Sequence, residues 1–393
     1  MTKVNLLLYL YGVLIVSLFL YSFTQVDLSL VWTRFELLQT VQQKFQYIGF
    51  FQRPISSAIF ISISSLLFLF YFAFLYLSKK NKLGVKKIWF AIIFSGLLLS
   101  FSYNAFSYDL FNYIFDAKIV TVYHQNPFIH KALDFPQDPM LSFMRWTHRL
   151  YPYGPSWLAL TVPLSFAGLN FLLPTFFLFK FLMGASFLGS SYLVYKISEK
   201  LFQKEKLFNL VFFAFNPLIL IEGLVSSHND MPMIFFTLLA VYLSIQNKHF
   251  SSLLSYVFSA GIKYSTIVLL PVALWALYLQ KKGKSIDWER VFVYLTVLSL
   301  IAALLATIRT TYQPWYLLGA ISFAAFVIKK DYIFAPFIIL SIFGVLAYVP
   351  YVYLTDYNPD YPSVVNLINS GGFALAALAT LIFVLYKKRF KLR

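Results

Sequence analysis

The segment Ser107-Tyr108-Asp109-Leu110-Phe111-Asn112-Tyr113-Ile114-Phe115-Asp116 has the residue types and spacing best suited to chemistry in this chain. At helical periodicity Asp109, Asn112, Tyr113 and Asp116 fall at i, i+3, i+4 and i+7, on one face. Leu110, Ile114 and Ala117 fall on the other. The pattern predicts an amphipathic helix lying at a membrane surface, polar side outward. A carboxylate held there can take a proton from a hydroxyl arriving from the water side. A plainer reading makes this an ordinary interfacial helix whose Asp109 caps its own first turn.

Four other groups could share a cavity with it. Asn126-Pro127-Phe128 and Tyr151-Pro152-Tyr153-Gly154-Pro155 are rigid, aromatic turns, suited to sugar or lipid contact or to scaffolding. His228-Asn229-Asp230 precedes Met231-Pro232, where Asn229 or Asp230 can cap a helix or form a second polar cluster. One histidine beside one aspartate lacks the ligand count of a zinc site, so no metal is expected. Lys180, Lys263 and Arg309 lie in or near apolar segments, where a cation is costly without a partner or a task. Neither Lys263 nor Arg309 has an acid within a helical turn. Arginine grips phosphate oxygens bidentately and lysine serves as a point charge. Snorkelling to the headgroups is the competing explanation. Arg309 leads into Gln313-Pro314-Trp315-Tyr316.

The elements that must position these groups are membrane helices. Hydrophobic residues make up 60% of the 393 residues, charged ones 12%, and the net charge is +17. Twelve stretches are long or apolar enough to read as spans: 5–23, 55–77, 88–104, 171–195, 207–226, 231–246, 250–262, 264–280, 290–308, 314–328, 332–354 and 364–386. A thirteenth, Trp157–Gly168, reads as a partial helix in the outer leaflet. Seven loops or ends on one side hold 22 of the 32 Lys and Arg but five of the 15 acids. That asymmetry places them, and both termini, in the cytoplasm. It also explains the positive charge without nucleic acid. One membrane domain, 1–393, is expected, with residues 103–155 as a large extracytoplasmic loop. This loop holds three histidines, and seven aromatics lie between Tyr103 and Tyr123. There is no cysteine, so disulfides and thiolate metal sites are excluded. The first apolar run lacks a cleavage motif and reads as a retained span. No phosphate-binding glycine loop and no nucleotide domain is evident. Chemistry on the outer face therefore calls for a lipid-linked donor.

The order of these motifs resembles the GT-C superfamily of integral membrane glycosyltransferases. It is most similar to prokaryotic polyprenol-phosphate-mannose-dependent mannosyltransferases. That family shows an S-D-D-x-Y-R-Y-x-W-D/E-G-R-like segment, then N-P-Y, Y-G-P, G-H-N-D and Q-P-W-Y. Here these read Ser107–Lys118, Asn126-Pro127-Phe128, Tyr153-Gly154-Pro155, Ser227-His228-Asn229-Asp230 and Gln313-Pro314-Trp315-Tyr316. The first acid of the pair is Tyr108, the family arginine is Asn112, and the glycine before the histidine is Ser227.

The resemblance implies an inverting transferase that moves a sugar, by this likeness mannose, from a polyprenyl-monophosphate carrier to a glycan or glycolipid. Asp109 would be the catalytic base. Tyr108, Asn112, Tyr113, Asp116, Asn126, Tyr153, His228, Asn229, Asp230, Gln313, Trp315 and Tyr316 would line the substrate site. Lys263 and Arg309 would meet the donor phosphate, with no cofactor beyond the lipid-linked co-substrate. Two other classes stay open at this point: a transporter or flippase of lipid-linked sugars, and a ligase using a lipid-diphosphate donor. A flippase would favour internal repeats and would not need the long acidic outer loop.

Overall fold

A computed structural model of the protein describes residues 3–308 and 310–391, the side chains of 388–391 excepted. Among the described residues there is no β-strand. The helices in chain order are α1 (Lys3–Ser22), α2 (Glu36–Gln46), α3 (Arg53–Lys79), α4 (Val85–Leu99), α5 (Asp109–Thr121), α6 (Pro155–Ala167), α7 (Leu172–Leu201), α8 (Lys206–Ala214) and α9 (Pro217–Ile219). They continue as α10 (Asp230–Ile245), α11 (His249–Ile262), α12 (Leu270–Lys281), α13 (Trp288–Ala306), α14 (Leu318–Ala324), α15 (Asp331–Leu346), α16 (Tyr348–Leu354) and α17 (Tyr361–Lys391).

Six helical segments are long and apolar enough to cross a bilayer: α1 with its short extension to Gln25, α3, α7, α13, α15 with α16, and α17. The pair α8 and Pro217–Val225, bent by 47°, makes a seventh if it is one broken span. The twelve full spans read from hydropathy are not all matched by length. α4, α10 and α11 have 15, 16 and 14 residues, short of the ~20 that cross a hydrocarbon core. Each is nonetheless apolar, so a hydropathy window alone cannot separate it from a full span. The stretch 157–168 lies mostly on α6, which has 13 residues.

The bend carries the centre of the molecule. Every residue from Asn209 to Ile234 is buried. Pro217 cannot donate into the helix, and the Asn216 side chain instead caps the new turn at the Leu218 amide, 2.9 Å away. Asn216 is tied in turn to Ser341 at 3.0 Å. Beyond it the backbone widens into a π turn, Leu220–Val225. Such widened turns are rare and frequent at functional sites. Lys180, fully buried on α7, closes this turn. Its ammonium donates to the carbonyls of Leu224 and Val225 and to Ser102 Oγ. The lysine satisfies carbonyls that the broken helix leaves without partners.

The segment 103–155 is folded, not slack. Its α5 is buried along both sides, with Leu110, Phe111, Tyr113, Ile114 and Phe115 all inside. The expectation of a surface helix with a polar outer face therefore needs correction. Helical periodicity located the element, but the face read as solvent-facing is packed against the segment around His228. The segment between α1 and α3 instead supplies an exposed helix, α2, with Leu37, Leu38 and Val41 uncovered beside glutamines. Lys118 and Tyr123 converge on Asp138, which also caps the Met140 amide. Burial works against ionising Asp138, yet these hydrogen bonds hold its carboxyl below the usual range.

The Tyr153-Gly154-Pro155 turn meets the end of α11. A Cβ on Gly154 would run into the Gly261 carbonyl, and one on Gly261 into Ser156. Only glycine allows that approach. The contact sits two residues before Lys263 and fixes the Tyr153-Gly154-Pro155 turn beside it.

Candidate active site

Asp109 opens α5, and its amide is held by Ser107 Oγ at 3.1 Å. The carboxylate does not cap the helix, because Tyr108 occupies the cap position without a side-chain bond. Its Oδ2 faces two groups: the Tyr113 hydroxyl at 3.5 Å and His228 Nε2 at 3.7 Å. No protein partner among the described residues meets Oδ1. The side chain is 10% exposed, so that free oxygen can receive a substrate hydroxyl in a largely dry setting.

His228 is fully buried and held on three sides. Trp315 stacks on its ring, 3.9 Å between centroids and 17° from parallel. Its Nδ1 lies 3.1 Å from Glu222 Oε2, close but not aligned as a hydrogen bond. Glu222 is itself fully buried on the π turn and accepts a 2.6 Å hydrogen bond from Tyr348 at its other oxygen. Asp109, His228, Glu222 and Tyr348 thus form one chain of titratable groups from four elements. Among the described residues none of these clusters is arranged to hold a metal ion.

Ser227 reaches this geometry at φ +61°, a left-handed backbone usually reserved for glycine. Here the serine hydroxyl is held by the Leu224 carbonyl at 3.0 Å. Asn229 donates its backbone amide to Tyr113 Oη at 3.4 Å. Its side-chain oxygen and nitrogen are buried without a partner. An orphaned buried amide beside a candidate base is a place for a ligand's polar groups.

Asp230 neither caps α10 nor stands free. Its Oδ2 lies 2.7 Å from Lys263 Nζ, with the pair 4% and 19% exposed. Lys263 also sits over the Tyr316 ring at 5.3 Å. The expectation that Lys263 lacks an acidic partner is thus overturned. The partner is 33 residues away, so a search within one helical turn could not find it. The Lys263–Asp230 pair lines a small cleft, with Ile234, Leu269, Ala303 and Phe323 among its apolar walls. Arg309 lies outside the described residues.

The remaining sequence candidates divide. Tyr113 packs edge-on against Tyr153 at 5.4 Å and against buried Trp157 at 5.2 Å, so Tyr153 joins the wall beside Asp109. Asn112 turns back to the Tyr108 carbonyl at 3.2 Å. Asn126 accepts from the Phe128 amide at 3.0 Å and is exposed, which is turn scaffolding. The two loop motifs nonetheless meet, through Tyr151 N to Pro127 O at 3.1 Å. Gln313 holds Thr311 at 3.1 Å, and Tyr316 bonds Thr310 at 3.0 Å. Asp116 is partly exposed and lies within electrostatic reach of Arg149 and Asp109. Burial pushes its carboxyl up to about 8 despite Arg149.

Tyr108, where the family pattern has an acid, donates its hydroxyl to Asp27 Oδ2 at 2.9 Å. A carboxylate from the segment between α1 and α2 therefore stands beside that position. Arg145 covers the Tyr108 ring at 4.9 Å and pairs with Asp356 at 3.1 Å, joining two further segments to Tyr108. Sequence reasoning missed Glu222, Tyr348, Asp27 and Arg145. Glu222 had a signal: an acid inside an apolar span marks function or a pair as a cation does. Only the cations were weighed that way.

Residues 27–279 match the family model described as alpha-(1->6)-mannopyranosyltransferase, N-terminal domain, of the MptA/B family. No curated protein and no solved structure matches the chain. The match covers well over half the chain and takes in α5, the Tyr153-Gly154-Pro155 turn, the His228 segment and Lys263, which bears out the likeness to GT-C mannosyltransferases. The chain belongs to the MptA/B alpha-(1->6)-mannopyranosyltransferase family and is a membrane glycosyltransferase.

Proposed function

We propose that this protein transfers mannose, with inversion, from a polyprenyl-monophosphate carrier to a hydroxyl of an extracytoplasmic glycan or glycolipid. The observation that carries the reading is Asp109. One oxygen is held by Tyr113 and His228, and the other is free at a site built from the motif segments. That oxygen takes the acceptor proton as the acceptor oxygen bonds to the anomeric carbon. The carrier phosphate leaves with the electron pair of the broken bond. Positioned general-base help contributes about 10²–10⁴ in rate.

The apolar cleft beside Lys263 suits a polyprenyl tail, and Lys263 suits its phosphate. Because Lys263 is paired, the phosphate enters by exchanging places with Asp230 or sharing the lysine with it. Arg309 is assigned to the same phosphate on its sequence position. Fixed cations that meet charge developing on the leaving group are a large catalytic factor. The reaction is written without a metal, because a phosphate paired with cations leaves readily. The excess of Lys and Arg in the inner loops supports cytoplasmic termini and an outward-facing site.

The test uses purified protein in lipid, polyprenyl phosphate β-mannose and an octyl α-mannoside. Inversion gives an α-linked product, and the linkage in the family's description makes 1→6 the bond to look for by NMR. Movement of intact lipid-linked sugar across vesicles without transfer would favour a flippase. Turnover only with a diphosphate donor would favour a ligase.

A further inference from the structure

After one transfer, the proton taken by Asp109 has to leave before the next acceptor binds. Direct return to water is restricted, since the carboxyl is 10% exposed and, on the functional reading above, its free oxygen meets the acceptor. The structure offers another route. His228 Nε2 stands 3.7 Å from Asp109 Oδ2, and His228 Nδ1 stands 3.1 Å from Glu222 Oε2. Glu222 Oε1 is 2.6 Å from Tyr348 Oη. Tyr348 in turn lines a second cleft, with Thr311, Gln313, Tyr361 and Asn366. Polar side chains of that kind hold water. This cleft shares no lining residue with the apolar one beside Lys263.

We propose that His228, Glu222 and Tyr348 form a proton relay that resets Asp109 by discharging its proton into the cleft between the Thr311–Pro314 turn and the start of α17. The inference rests on the functional reading above, in which Asp109 is the base. The transfer balances with one proton in and one out. Rotation of the Asp109 carboxyl brings its proton to His228 Nε2, and the Nδ1 proton passes to Glu222 Oε2. Rotation of the protonated Glu222 carboxyl then brings that proton to the Tyr348 oxygen, whose own hydroxyl has turned to the cleft and gives its proton to water there. A flip that returns the His228 imidazole to its starting tautomer, with the carboxyl and hydroxyl rotations, restores the starting arrangement before the next turnover. The 3.7 Å gap closes by roughly 0.5–1 Å to reach hydrogen-bond distance, as catalytic contacts commonly do when substrate binds.

Glu222 is fully buried, with Tyr348 and His228 as its side-chain partners, and neither is a cation bound to neutralise it permanently. A carboxyl placed there for stability alone would be poorly chosen. Trp315, stacked on His228, keeps the imidazole plane aimed along the chain.

The experiment is rapid-quench transfer from polyprenyl phosphate mannose to the octyl mannoside, for the parent, Glu222→Gln and Tyr348→Phe. Glu222→Gln keeps shape and hydrogen bonding but cannot shuttle a proton at neutral pH. The expected result is a burst of about one product per enzyme in both variants. The first turnover stays near the parent rate, later turnovers slow about tenfold or more, and the KM for donor and acceptor hardly moves. Steady-state rates within twofold of the parent in both variants would overturn the relay. So would first and later turnovers slowed equally, which is what a purely structural Glu222 gives. If Glu222→Gln does not fold, Tyr348→Phe alone decides, since it removes one exposed-side hydroxyl. A parent enzyme that makes no product would instead overturn the functional reading itself.

Discussion

The Lys263–Asp230 pair can hold the fold, hold the donor, or do both, and charge removal separates these roles. At 2.7 Å and an effective dielectric near 20, the attraction amounts to about 6 kcal/mol. Desolvation of both ions offsets much of it. Removing one partner leaves the other as an uncompensated charge, which costs about 3 kcal/mol in a buried setting. Lys263→Met should therefore lower unfolding stability by about 3 kcal/mol, less the screening allowed by the lysine's 19% exposure. The double variant Lys263→Met with Asp230→Asn should return to within about 1 kcal/mol of the parent, since no charge is stranded. Donor use should not recover with it. If Lys263 meets the carrier phosphate, the KM for polyprenyl phosphate mannose stays about tenfold high in the single and double variants alike, a loss of about 1.4 kcal/mol. Asp230→Asn alone, which frees the lysine, should keep that KM at or below the parent value. Thermal unfolding in detergent and initial rates at saturating acceptor supply both readings. Recovery of donor KM in the double variant would show that Lys263 acts through folding alone, and the phosphate assignment would fail.

Three further outcomes follow from separate parts of the molecule. Asp116 keeps its proton to about pH 8 when folded and releases it near 3.8 when unfolded, so the native state binds more protons between these values. Stability should fall as pH rises through that window, and Asp116→Asn should flatten the slope of the unfolding midpoint from pH 5 to 8; an unchanged slope would refute the assignment. Gly154→Ala drives a methyl into the Gly261 backbone and should cost about 1–3 kcal/mol, read as a lowered midpoint; an unchanged midpoint would mean the loop yields there. Gln137→Cys, on an exposed outer-loop position in a chain without cysteine, should react with an impermeant thiol reagent in intact cells; labelling only after permeabilisation would invert the topology.

Much of the site was legible because its motifs sit at helix ends, where local spacing and turn chemistry speak. The periodicity from Asp109 to Asp116 gave the helix, and the Asn229-Asp230-Met231-Pro232 step gave the start of α10. What periodicity cannot give is which face finds a partner. In α5 Asp109 and Tyr113 turned inward because His228 and Asn229, more than a hundred residues away in the chain, supply them with polar company. The Lys263–Asp230 pair stayed hidden for the same reason. Apolar content outran helix length: α4, α10 and α11 are apolar throughout, yet at 15, 16 and 14 residues they fall short of the ~20 that cross a hydrocarbon core. The exposed helix α2 escaped notice because its glutamines and leucines make no long apolar run.

The central claim is that Asp109 is the base. Asp109→Asn preserves volume and the contact to Tyr113 while removing proton acceptance. Steady-state transfer from polyprenyl phosphate mannose to the octyl mannoside, measured with donor binding on the same preparation, tests it directly. The account predicts kcat lower by about 10² or more with donor affinity unchanged. Near-normal kcat in a folded, donor-binding Asp109→Asn protein would contradict it.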